Sequence, residues 1–386
     1  MAQTPFFSYG FRAFFFSGAL WAATSMLIWI LWITGVGGYT LPYGAFAWHA
    51  HELLFGYTAA VLAGFLLTAI PNWTGRSPVR GYSLAVLWAV WLLGRLAFLF
   101  ADTIGYPAAA LLDSLFLLLI AFVGTREIVA GKNFRNLRVL AIVGLLALAN
   151  IGFHWEYLTN GYPEYALRAA VSLFVVLLSV IGGRIIPAFT RNWLVKHKKT
   201  RKLPQAFNKF DVVTLIGTGA ALVLWTLAPL AALTGYLMLT VGALHIVRLA
   251  RWSGAQTMTE PLVAILHAGY LFVGLGFLLV GAAVLDILAL PPELALHAWT
   301  TGAVGILTLA VMTRATRGHA GFALTAPAST RLIYILIIAA TVTRLAPAAG
   351  PGLSIGLQAV AALAWLGAFL LFAVCYAPML LRAKAQ

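Results

Sequence analysis

Twelve apolar runs, each close to the roughly 20 residues an α-helix needs to cross a hydrocarbon core, leave this 386-residue chain few folds to choose from. Split at glycine, proline and charge, they fall at about 13–34, 45–70, 81–100, 107–126, 137–158, 165–187, 210–231, 233–252, 261–284, 294–315, 330–347 and 355–380. Only 9% of residues are charged, 62% are hydrophobic and mean hydropathy is +0.95, which would cover a soluble protein in apolar patches. The expected fold class is therefore all-α: a polytopic membrane helix bundle with 12 transmembrane helices. The first run is followed by many others and is too long for a cleaved signal region, so it reads as the first span.

The formal net charge of +15 is distributed, not clustered in a domain. Of the 25 lysines and arginines, all but Arg95, Arg168 and Arg344 fall at the N-terminus or in the gaps after even-numbered spans. The positive-inside rule makes that side cytoplasmic and puts both termini there. A missed or invented span would invert every later loop and scramble the asymmetry. The opposite gaps carry Asp102, Glu156, Glu164, Asp286 and Glu293. With no soluble basic domain, nucleic acid is not an expected partner. The chain reads as one transmembrane domain over 1–386, with a basic connector at about 188–209 between spans 1–6 (about 13–187) and spans 7–12 (about 210–380). A four-span repeat fits the local sequence at least as well, since spans 2 and 6 end in Ile70-Pro71 and Ile186-Pro187. The lone Cys375 excludes an internal disulfide, and without Cys-x-x-Cys-His any haem is held non-covalently.

Ionisable groups inside a membrane are costly and default to function. Trp48-His49-Ala50-His51-Glu52 places two imidazoles and a carboxylate at the head of an apolar run. His49 and His51 lie near the outer end of span 2, His154 at the outer end of span 5 and His297 at the outer start of span 10. His245, His267 and His319 lie toward the inner side, and His197 sits among lysines as a solvated loop residue. His297 and His319 are too far apart to share a metal, since 22 helical residues cover roughly 33 Å. At about 100° per residue, His49 and His51 point apart while His49 and Glu52 share a face. Either the two histidines serve two centres, or the segment is not an ordinary helix. A haem and a nearby non-haem metal served from two faces of one helix would suit the first case.

Arg95, Arg168 and Arg344 map to the level of the outer histidines, where they are candidate partners for haem propionates, with snorkelling to the interface as the plain alternative. Gly182-Gly183-Arg184-Ile185-Ile186-Pro187 closes span 6 as a helix end or an inner site.

Trp48-His49-Ala50-His51-Glu52, then Gly64 through Arg76, Gly183-Arg184-Ile185-Ile186-Pro187-Ala188-Phe189-Thr190, Leu266-His267-Ala268-Gly269-Tyr270, His297-Ala298-Trp299-Thr300-Thr301-Gly302-Ala303, Met312-Thr313-Arg314-Ala315 and Gly318-His319 together resemble the NnrS family over nearly the whole chain. The resemblance implies a multi-pass bacterial inner-membrane protein with haem, probably of b type, and copper, tied to nitric oxide resistance and denitrification.

The family's histidine motifs carry over onto His49, His51, His154, His267, His297 and His319 as metal ligands; His245 lies outside them. Arg184 and Arg314, within the motifs, join the candidate cofactor-binding arginines. The leading expectation is a handler of nitric oxide that reduces it to N2O, an oxidoreductase of nitric oxide reductase type. Its outer site would use His49 or His51, His154 and His297 as ligands and Glu52 as ligand or proton relay. The inner His267 and His319 would hold a second haem or copper, and a quinol is a candidate electron donor. The alternatives are a transporter of copper, haem or a metal–nitrosyl species, and a haem sensor or sink without turnover. This reading predicts that His49→Ala or His51→Ala lowers haem or copper content in purified protein, whereas His197→Ala changes neither.

Overall fold

Each of the twelve apolar runs forms a helix in the computed structural model, which describes residues 5–36, 38, 40–199, 202–288, 290–346 and 354–382. Two basic residues counted above, Arg201 and Lys384, lie outside the described residues. The helices are α1 Gly10–Ile33, α2 Ala45–Thr74, α3 Tyr82–Leu99, α4 Tyr106–Ala130, α5 Phe134–Asn160, α6 Glu164–Lys196, α7 Lys209–Leu227, α8 Ala232–Ala250, α9 Pro261–Val284, α10 Pro292–Ala320, α11 Ala328–Leu345 and α12 Gly356–Leu381. All twelve are long and apolar enough to cross a membrane.

Local chemistry explains three of the ends. Asn208 accepts the Phe210 amide while Asp211 accepts the Asn208 amide, each at 3.0 Å, so α7 starts on a capping box. Glu260 caps α9 on the Leu262 amide at 3.1 Å, and Pro261 takes the first helical position, where no amide donor is needed. Gly75, at φ 70° in the left-handed region, stops α2. Pro71 and Pro187, by contrast, stop nothing. Both stand inside their helices, so Gly182 to Thr190 is helix interior and not the closing end of α6. A proline deletes one backbone donor, and a long helix held by its neighbours continues past it.

Two glycines on α6 create room for other side chains. A methyl at Gly183 would lie 2.3 Å from the Arg248 guanidinium, and one at Gly182 would lie 3.2 Å from the Tyr270 ring.

The described chain divides into two compact units, and the division falls inside α6 and not in the basic connector. The first unit holds residues 1–170, 315–322 and 369–386. In it α1 packs on α2, α4 lies against α2, α3 and α5, and Arg12 donates to the carbonyls of Leu380 at 3.3 Å and Arg382 at 2.7 Å.

The second unit holds 171–314 and 323–368, with α9 packed against α8 and against the first half of α10. Its core is centred on Trp299, fully buried, whose indole donates to the Val273 carbonyl at 3.0 Å and lies across Gly276. His245 is also satisfied there: Arg248 donates to the Tyr270 hydroxyl, which faces His245 Nδ1 at 3.0 Å, and His245 Nε2 is 2.9 Å from the Thr218 hydroxyl. Arg248 is itself paired with Asp211 at 2.8 Å.

A methyl at Gly276 would stand 2.1 Å from the Trp299 ring. Gly276→Ala is therefore expected to cost about 1–3 kcal/mol, read as a lower unfolding temperature in detergent. Gly144→Ala, where a methyl meets nothing within 4 Å, is the comparison expected to leave it unchanged.

Candidate metal centre

The site begins with an irregularity in α2. Ala45 to His51 is ordinary α-helix, but from Glu52 to Thr58 the turn widens into π-helix. Thr58 donates its hydroxyl to the Leu53 carbonyl, five residues back, at 2.7 Å. Single wide turns of this kind concentrate at functional sites. Glu52 turns its carboxylate toward the neighbouring His51, with Oε1 2.9 Å from His51 Nδ1. The carboxylate expected on the face of His49 pairs with His51. His49 is half-buried and stacks on Trp29, ring centroids 4.2 Å apart.

Five helices of the first unit and one loop meet around this pair. From α3, Arg95 donates to Glu52 Oε1 at 2.5 Å and, with its other terminal nitrogen, to Asp113 Oδ1 on α4. From α1, the Trp21 indole donates to Glu52 Oε2 at 2.5 Å. His51 Nε2 lies 3.0 Å from Asp113 Oδ2 and 3.1 Å from Asn150 Oδ1 on α5. His154, one turn further along α5, points Nε2 at the same Asp113 oxygen from 3.0 Å. Its Nδ1 faces the Tyr43 hydroxyl at 3.0 Å.

The packing that holds this group is tight. A methyl at Gly56 would come within 2.8 Å of both Arg95 Nη1 and Trp21 Nε1, so only glycine admits the cluster there. The Phe98 ring lies flat on His51, centroids 3.8 Å apart.

The electrostatics follow from burial. His51 and Glu52 are 0% exposed and Arg95 and Asp113 1%, so water does not screen them. Two carboxylates face one guanidinium, and with neutral imidazoles the group is one positive charge short. His51, Asp113 and His154 offer ligand atoms that all lie within 4.8 Å of one another, an arrangement able to hold a metal ion. Tyr43 lies outside the spans; burial above all, helped by Tyr106, Tyr157 and Asp102, raises its phenol above the usual range, so it keeps its proton.

The other sequence candidates are placed as follows. In the second unit, His297 bonds the Glu293 carbonyl through Nδ1 at 2.6 Å, which leaves Nε2 as the nitrogen available to a ligand, and Arg344 lies within electrostatic reach of it. His267 Nε2 is 2.8 Å from the Thr190 hydroxyl, while its ring lies so close to Gly254 that a methyl there would come 2.4 Å from Nδ1. Arg314 stacks over Phe189 at 4.2 Å. Arg184 is exposed. In the first unit, exposed His319 stacks on Phe11 with centroids 5.4 Å apart, and Arg168 pairs with Glu164 one turn earlier. His197, exposed, bonds the Trp193 carbonyl.

Four members of the cluster went unpredicted: Asp113, Asn150, Tyr43 and Trp21. Asp113 carried a usable signal, since it is a carboxylate inside the apolar run 107–126, and the rule that singled out Glu52 applies to it equally. The others look like ordinary membrane residues until their partners are known.

The family model for NnrS protein matches residues 5–384 of the chain. No curated protein matches it.

Arg95→Met is expected to cost about 3–5 kcal/mol by leaving buried carboxylates without their cation, seen as loss of monodisperse protein in detergent. Adding Asp113→Asn should recover part of that loss. A fully stable single variant would mean that the two carboxyls are not both charged.

Proposed function

Because the chain belongs to the NnrS family, we propose that it protects its cell from nitrosative stress by binding nitric oxide at metal held inside the membrane and reducing it to N2O. Family membership suggests a membrane protein of nitric oxide stress response, and twelve candidate spans make it a multi-pass one. The observation that carries the reading is the buried group of His51, Asp113 and His154, which presents ligand atoms to a single point with no exposed side chain. In this proposal the membrane is the bacterial inner membrane and the basic loops face the cytoplasm.

Two cofactors are proposed, copper and a non-covalent haem, and the side chains fit them unequally. The compact outer cluster suits an ion. His297, with Nδ1 tied to a carbonyl and Nε2 free, has the usual arrangement of a ligating imidazole, and Arg344 beside it suits a propionate. Bound metal would supply the open coordination positions that nitric oxide coupling needs and would pass on the electrons. The chain's own part is to orient the imidazoles, exclude water and keep charge balanced at the cluster. Two NO, two protons and two electrons give one N2O and one water, and a quinol-class donor would supply the electrons.

The test is NO consumption with N2O detection by purified protein in detergent, with a quinol supplied and haem and copper quantified in the same sample. Many turnovers per metal yielding N2O are expected. Stoichiometric binding without N2O would replace the enzyme with a sink or sensor, and a preparation free of haem and metal would favour a transporter.

A further inference from the structure

We infer that His51 Nε2, His154 Nε2 and Asp113 Oδ2 are the ligands of one non-haem transition-metal ion, with Asn150 Oδ1 beside them, and that no porphyrin enters this centre. The inference rests on the metal-dependent reading above and assigns ligands within it.

The first argument is the direction of the hydrogen bonds. Glu52 Oε1 accepts from Arg95 and faces His51 Nδ1, so the tautomer with its proton on Nδ1 satisfies that side of the ring. In that tautomer Nε2 presents a bare lone pair to a carboxylate oxygen and an amide oxygen at 3.0 and 3.1 Å. Acceptors converging on acceptors repel one another, and a cation between them removes the conflict. The single missing positive charge of the cluster agrees with this.

The second argument is how the ligands are held. A ligating imidazole commonly has its other nitrogen tied to a carboxylate, carbonyl or hydroxyl that sets tautomer and ring angle. Both histidines meet this condition, His51 through Glu52 and His154 through Tyr43. Arg95 likewise holds the Asp113 oxygen that faces away from the histidines. Glu52 spends both oxygens on His51, Arg95 and Trp21. In this assignment it acts as a positioning residue.

The third argument is size. Metal–nitrogen and metal–oxygen bonds of about 2.1 Å put neighbouring ligand atoms about 3–4 Å apart, and the observed group lies within 4.8 Å. A porphyrin would have to part His51 from Asp113, with Phe98 stacked on one face of that imidazole and Phe153 4.6 Å from its centroid. Two imidazoles with one carboxylate suit iron(II), copper(II) or zinc(II), and no thiolate is involved.

The experiment measures haem and non-haem copper, iron and zinc per chain in detergent-purified monodisperse protein. The variants are His154→Gln, Asp113→Asn, Glu52→Gln and Tyr43→Phe. About one non-haem ion per chain is expected in the unmodified protein. At unchanged haem content it should fall at least tenfold in His154→Gln and Asp113→Asn. Glu52→Gln and Tyr43→Phe should keep the site but weaken added copper(II) by about 10–100-fold and alter its EPR spectrum, even if Asp113→Asn fails to fold. Retention of the ion in His154→Gln, or loss of haem in place of the ion, overturns the inference. N2O production by protein lacking any non-haem ion overturns it and leaves the proposed function standing. A His154-dependent ion in protein that makes no N2O does the reverse.

Discussion

Two carboxylates, Glu52 and Asp113, share one guanidinium, Arg95, with none of the three exposed by more than 1%. Charges so deep in an apolar bundle are tolerated only when each is answered by an opposite charge or by donors. The architecture of the first unit follows that demand. α3 must bring Arg95 between α2 and α4, α1 must offer an indole to the remaining Glu52 oxygen, and α5 must present His154 and Asn150 on the far side of Asp113. Glu52 opens the wide turn after His51, and Gly56 leaves the space in which they meet. Removing any one partner exposes the others to the full desolvation cost.

The second unit solves a related problem with different chemistry. Arg248 is equally buried, and Asp211, the Ser179 carbonyl and the Tyr270 hydroxyl satisfy it, with His245 completing the chain of bonds. Every polar atom of His245 has a partner there, so it reads as structure and not as a ligand. A second wide turn, Ala298–Gly305, lies in the first half of α10, as Glu52–Thr58 lies in the first half of α2. The local sequences also correspond: His49-Ala50-His51-Glu52 stands against His297-Ala298-Trp299-Thr300. Where the first has an imidazole and a carboxylate the second has an indole and a hydroxyl, and Trp299 fills an apolar core.

Much of the candidate site was readable as depth but not as pairing. Counting residues along the spans put His51, Arg95 and His154 at one level, because helix rise is constant. Which of them touch depends on rotation about each helix and on neighbours distant in sequence. The α-helical angle put Glu52 on the face of His49, and its side chain pairs with the neighbouring His51. Arg95 was a candidate for propionates, yet its two terminal nitrogens bond Glu52 and Asp113. Prolines 71 and 187 suggested helix ends, but packing carries both helices onward. Asp113 was overlooked although its position in an apolar run marked it.

The sequence by itself determined the helical class, the number of candidate spans and the membrane as solvent, since length, hydropathy and the spacing of charge are properties of a segment taken alone. The tertiary structure decided that His51 and not His49 joins the buried charges, that Asp113 is their centre, and that Tyr43, Trp21 and Asn150 serve them. Those outcomes depend on side chains from five helices meeting at distances near 3 Å. Such meetings are set by helix rotation and close packing, which no single segment encodes.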